Sequence, residues 1–208
     1  PDYNIKWTKF DSGADINTAF VAKEVDFAAI GSSPVARGLS APLNIPYQVA
    51  FVLDVAGDNE ALVARNGTGI ETVADLKGKR VATAFASTAH YSLLAALDQA
   101  GVNPKDVNLI DLQPQASLAA WQRGDIDAAY VWDPALGQIR KDGTVILDSS
   151  TVADWGAPTF DAWIVRKDYA AEHPEAVRGF VVETARAYDA YRADPAGWSA
   201  ANAGAIAD

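Results

Sequence analysis

Lys79-Arg80-Val81-Ala82-Thr83-Ala84-Phe85-Ala86-Ser87-Thr88-Ala89-His90-Tyr91-Ser92-Leu93-Leu94-Ala95-Ala96-Leu97 runs from a strand-like segment through small polar residues into a periodic apolar helix. That order predicts that Ser87 and Thr88 stand at a helix N-terminus beyond the end of a strand. The first amides of a helix lack intrahelical partners and sit at the positive end of the macrodipole, so the place suits an anion. Taken alone, the same residues read equally well as a simple cap, with Ser87 or Thr88 closing the helix.

The pattern continues on the C-terminal side. The helix runs to Ala100 with Gly101 as its stop, a strand follows over Val107 to Leu112, and a helix over Ser117 to Arg123. The apolar run Ile126 to Trp132 ends at Asp133-Pro134. Strands alternating with helices imply parallel βαβ units, whose ligands bind beyond the carboxyl ends of the strands.

On the N-terminal side, Asn4 to Phe10 alternates polar and apolar residues as a half-buried strand does. A helix from Ala14 to Lys23 and a strand from Val25 to Ile30 come next, and the strand ends at Gly31-Ser32-Ser33-Pro34. This is a second place where small polar residues meet a helix start. Val49 to Val55 and Ala61 to Ala64 are strand-like, with Asn59-Glu60 between them. A helix followed by Val25-Asp26-Phe27-Ala28-Ala29 echoes a helix followed by Ile126-Asp127-Ala128-Ala129-Tyr130, each then turning at a proline. The echo suggests two related lobes, although buried strands favour such residues in any case.

Beyond the turn Lys141-Asp142-Gly143 lie the short run Val145-Ile146-Leu147 and the alternating segment Phe160 to Val165. Asp161 stands there among aromatic residues, a costly place for a carboxylate without a purpose. A helix is predicted from His173 to Arg192, with Pro174 in its first turn, and another from Trp198 to Asp208.

Composition narrows the function. The formal net charge of -10 and pI near 4.6 argue against nucleic acid or an anionic membrane as partner, since both need a cationic footprint. Without cysteine there is no thiolate metal site, disulfide or cysteine nucleophile. His90 and His173 lie in dissimilar contexts and suggest no metal cluster. No apolar run is long enough to cross a bilayer. The absence of methionine and the start at Pro1 lead us to expect a processed or trimmed product.

Lys9-Phe10-Asp11-Ser12-Gly13-Ala14, Gly31-Ser32-Ser33-Pro34, the stretch Ser87 to Leu97, Ala120-Trp121-Gln122-Arg123-Gly124-Asp125-Ile126-Asp127 and Trp155-Gly156-Ala157-Pro158-Thr159 with Asp161 occur here in order. Together they resemble the taurine-binding proteins of bacterial ABC importers, within the aliphatic-sulfonate, nitrate and pyrimidine-precursor group of periplasmic binding proteins. The resemblance implies an α/β, two-lobed type II fold with a central cleft, truncated at both ends relative to the family. It implies a first lobe over residues 1–82, a second over 83–158 and a return to the first over 159–208. Crossing segments are expected near Val63 to Ala82 and Pro158 to Ile164. A periplasmic or lipid-anchored monomer, a membrane permease as partner and no cofactor are implied as well.

Taurine carries a sulfonate and an ammonium two methylenes apart. A sulfonate is best met by many neutral donors, so Ser87 and Thr88 are expected on one lobe with Ser32 and Ser33 facing them. His90 is a further candidate donor, with a structural hydrogen bond as the alternative. The ammonium needs a carboxylate or an aromatic face. Asp161 is the first candidate and Glu60 the second, although an exposed turn glutamate explains Glu60 equally well. Tyr130 and Trp132 are expected to wall the methylenes or to belong to the core. Asp133, where a family member has alanine, either stands near the cleft or caps the following helix. Alternative ligands are other alkanesulfonates, nitrate or a pyrimidine precursor. A pyrimidine-precursor enzyme is disfavoured by the lack of cysteine, and a regulator effector domain by the lack of a basic helix-turn-helix.

Overall fold

The computed structural model describes residues 4–204. The first elements are α1 (Gly13–Val21), β1 (Phe27–Gly31), α2 (Ser32–Leu39) and β2 (Tyr47–Val55). The middle of the chain forms β3 (Glu60–Arg65), β4 (Arg80–Thr83), α3 (Thr88–Gln99), β5 (Asn108–Asp111), α4 (Pro114–Arg123), β6 (Ala128–Trp132), α5 (Ala135–Ile139), β7 (Gly143–Asp148) and α6 (Ser149–Asp154). The chain continues through β8 (Phe160–Arg166), α7 (Lys167–Glu172), α8 (Pro174–Ala193) and α9 (Pro195–Ala201). Of the helix expected to reach Asp208, the last residues lie outside the described ones.

The strands divide into a three-stranded sheet, β1-β8-β2, and a five-stranded sheet, β5-β4-β6-β3-β7. The larger sheet is mixed. β4 runs parallel to β5 and β6, as the βαβ pattern predicts, whereas β3 is antiparallel to β6 and β7. Successive side chains of a strand point to opposite faces, and both faces of this sheet are covered. Leu62, Ala64, Ala128 and Tyr130 enter a core with Leu93 and Leu97 of α3. Ala61, Val63, Ala129 and Val131 enter another with Trp121 of α4 and Leu136 and Ile139 of α5. Burial on both sides is why β3 and β6 read as unbroken apolar runs.

In the smaller sheet, both ladders are antiparallel. One face packs Ala28, Ile30, Tyr47 and Ile164 against Phe20 and Val35 of the preceding helices. The other carries rings. Phe180 of α8 lies 4.7 Å from Phe27 and 4.9 Å from Trp163, and Tyr188 lies 6.1 Å from Phe51.

Two expectations about the architecture fail. Residues 60–82 do not belong with the first lobe, because β3 and β4 are both members of the five-stranded sheet. The chain crosses earlier, at residues 56–59, and returns at 155–159. The two crossings lie side by side, with the Ala56 amide donating to the Thr159 carbonyl at 2.9 Å. The physical reason is pairing: β3 bonds to β6 on one side and β7 on the other, so its apolar run is committed to one sheet. Secondly, residues 4–10 form no strand, and Asn4 to Lys9 are exposed. Alternation is necessary for a half-buried strand, but these residues have no place in the β1-β8-β2 ladder.

Candidate functional site

The antiparallel strands explain how the site assembles. β8 begins where β1 ends, so Asp161 pairs with Gly31, and β2 places Asp54 on its other side. β3 begins where β6 ends, so Glu60 pairs with Trp132. Carboxylates at strand starts thus arrive at the same edge as the helix N-termini that follow β1 and β4.

At the N-terminus of α3, Ser87 is spent as the cap. Its Oγ accepts from the His90 amide at 3.1 Å and donates to the Ala84 carbonyl at 2.6 Å. His90 is structural too, since its Nδ1 accepts the Ala86 amide at 3.1 Å and its ring stacks on Phe85 at 4.6 Å. That bond holds Ala86 in the left-handed region, φ 62°. Burial lowers the His90 pKa, so the imidazole is neutral. Among the candidates on this helix, Ser87 and His90 therefore take the roles given above as their alternatives.

Thr88 does something unforeseen. Its hydroxyl donates to Glu60 Oε2 at 2.6 Å rather than being left for an anion. Glu60 is only 3% exposed, so it is not a turn residue in water. Ser149 donates to Oε1 at 2.6 Å and Ser92 approaches the same oxygen at 3.4 Å. Tyr130 is fully buried with its hydroxyl 3.0 Å from Ser149. It therefore supports Glu60 from behind and does not wall the cleft. Burial pushes the Glu60 pKa up, the hydroxyls pull it down, and the Asp54 charge raises it again.

Asp161 is raised from 3.8 to about 6, chiefly by burial and then by the charges of Asp54 and Glu60. Among the described residues no cationic side chain forms an ion pair with Glu60, Asp161 or Asp54. Buried carboxylates are ordinarily paired, so among the described residues this cluster is left without a compensating charge.

Across from α3, the N-terminus of α2 has no side-chain cap: its N-cap is Gly31. The Ser32 hydroxyl accepts from the Phe160 amide at 3.2 Å, which leaves its proton available to donate. Ser33 is partly buried in the first turn. The α2 end is thus the freer of the two anion-attracting ends. Trp132 is partly buried against the core of the larger sheet. Asp133 caps: its Oδ1 accepts from the Gly137 amide at 2.9 Å. Two other surface concavities, around Arg65 to Glu71 and around Leu94 to Pro104, contain none of the site residues.

Sequence reasoning missed Ser92, Ser149, Asp54 and Gly31. Ser92 alone carried a signal, lying four residues after Thr88 on the same helical face.

Two α/β lobes joined by paired crossings, with helix N-termini and strand ends converging at their junction, form the two-lobed fold of periplasmic binding proteins. The NMT1/THI5 like family matches residues 10–197, and the chain belongs to that family. It is 47% identical over 194 residues to the taurine-binding periplasmic protein of Escherichia coli (strain K12), covering 93% of this chain and 59% of that protein. The chain thus spans less than two thirds of that relative's length. The periplasmic aliphatic sulphonate binding protein SsuA from Escherichia coli superposes with a TM-score of 0.80 at 25% identity, covering 97% of this chain and 68% of that one. The alkanesulfonate-binding protein SsuA from Xanthomonas axonopodis pv. citri, solved with MOPS bound, gives 0.81 at 22% identity, covering 97% and 68%. That second likeness speaks for the fold.

Proposed function

We propose that this chain is the ligand-capturing part of a solute-binding component of an ABC importer, and that its ligand is taurine. The observation that carries the reading is the pair Glu60 and Asp161, partly or fully desolvated and without a cationic partner among the described residues, beside two helix N-termini. A sulfonate alone explains the helix ends and leaves the carboxylates repelling it. A ligand with an ammonium at its other end answers both. Similarity to the taurine-binding protein supports the same ligand.

In this reading Asp161 is the principal contact for the ammonium, with Glu60 behind it held by Thr88, Ser92 and Ser149. The sulfonate lies toward Ser32, Ser33 and the free first-turn amides of α2 and α3. Trp132 borders the methylenes. No bond is made or broken; the lobes close about the crossings at 56–59 and 155–159, and a membrane permease reads the closed form. The protein acts as a periplasmic monomer.

Calorimetric titration with taurine, ethanesulfonate and nitrate tests the proposal. Taurine is expected to bind at least tenfold more tightly than ethanesulfonate, which has the same anion and no amine. Equal affinities would remove the ammonium role from Asp161 and Glu60.

A further inference from the structure

Gly31 stands where α2 of one lobe meets α3 of the other. It ends β1, caps α2 and pairs with Asp161. Its backbone, φ -69° and ψ 153°, is open to any residue, so glycine is not needed for conformation. Space is what demands it. A Cβ at this position would lie 2.8 Å from Thr88 Cγ2 of the other lobe and 3.3 Å from Asp161 Oδ1. Carbon atoms pack at about 3.5–4.0 Å, so the first of these contacts is a clash.

Thr88 has no easy way to yield. Rotation about its Cα–Cβ bond would move the methyl but also pull the hydroxyl off Glu60 Oε2, 2.6 Å away. The α2 and α3 helices pack against one another here, so the remaining relief is to move them apart.

We propose that Gly31 is the positioning residue that sets how closely the two lobes approach at the cleft, with the Thr88 methyl seated on its bare Cα. One side chain thus links the two halves of the site: the Thr88 hydroxyl orients Glu60 while its methyl measures the distance to the opposite lobe. The effect on affinity rests on the cleft being the ligand site proposed above. The effect on lobe separation does not.

The test uses four variants: Gly31→Ala, Thr88→Ser, Gly31→Ala with Thr88→Ser, and Gly31→Ala with Thr88→Val. The chain has no cysteine, so Arg37→Cys on α2 and Asp98→Cys on α3, both exposed, accept spin labels cleanly. Interlabel distances by pulsed electron resonance without ligand are read together with taurine affinity by calorimetry. Gly31→Ala is expected to lengthen the mean distance and weaken taurine at least tenfold. Thr88→Ser keeps the hydroxyl, removes the methyl, and is expected to restore both in the double variant to within about threefold of wild type in affinity. The Thr88→Val partner keeps a methyl at the clash and leaves the cleft wide. An unchanged distance in Gly31→Ala, or a Thr88→Ser double variant as open as the single one, overturns the inference. If wild-type protein binds no taurine, the proposed ligand falls, and the distances still decide the role of Gly31.

Discussion

Asp161 shows at the scale of one residue how a buried carboxylate opposes the fold that carries it. Burial and the neighbouring charges raise its pKa from 3.8 to about 6. The folded state therefore binds more protons than the unfolded one between those values, and the stability linked to this carboxyl is present below about pH 4 and lost as pH rises through about 6. At neutral pH the ionised group opposes folding by about 1–3 kcal/mol, discounted for its partial exposure. Asp161→Asn is expected to raise the melting temperature of the ligand-free protein by several degrees near pH 7 and to do nothing near pH 4. Scanning calorimetry at both values decides it; no gain near pH 7 speaks against the repulsion. Under the proposed function taurine binding has the opposite dependence, because the ammonium would need the ionised form. Its affinity is expected to fall about tenfold between pH 7 and pH 5 as Asp161 protonates, while ethanesulfonate shows no such fall.

At the scale of elements, the two helix N-termini have different work. Ser87 closes α3 with both its donor and its acceptor committed, whereas α2 begins without a side-chain cap. Ser87→Ala is expected to cost about 1 kcal/mol of stability, the usual loss of a cap, with ligand affinity changed less than threefold. Ser33→Ala is expected to show the reverse, near-normal stability in urea and an equal weakening of taurine and ethanesulfonate. A loss confined to taurine would place Ser33 at the ammonium end instead. His90 follows the same logic as Ser87, since its Nδ1 fixes the turn at Ala86 by accepting that amide.

At the scale of the molecule, stability is divided unevenly between the sheets. β3, β4 and β6 lie between two apolar cores, and the described residues of β3 and β6 are almost wholly buried. Among the described residues β8 alone in the three-stranded sheet is flanked on both sides, and β1 and β2 each have a partner on one side. Amide exchange followed by mass spectrometry is therefore expected to be slowest in β3, β4 and β6 and faster in β1 and β2. Ligand is expected to slow exchange in the crossings at 56–59 and 155–159, which would move little in a protein that did not close. Equal protection of the two sheets would contradict this division.

The apolar runs of β3 and β6, the helix starts at Ser32 and Thr88 and the anomaly of Asp161 are all legible from local order, because periodicity, capping chemistry and the cost of burying a charge belong to neighbouring residues. The boundary between lobes is not legible, for the opposite reason. The Ala61 to Ala64 run announces a buried strand without saying which sheet buries it, and Asn4 to Phe10 alternates without a partner to complete its ladder. The Glu60 network joins residues 28, 32 and 89 positions apart. No spacing rule connects them. The sequence by itself determined an α/β order with polar helix starts at strand ends and an unexplained carboxylate, and the two lobes came from its resemblance to a known family. Only the tertiary structure decided that Ser87 and His90 hold the backbone, that Tyr130 stands behind Glu60, and that Gly31 receives Thr88. A hydroxyl or a bare Cα takes its role from whatever the long-range fold brings within about 3 Å of it.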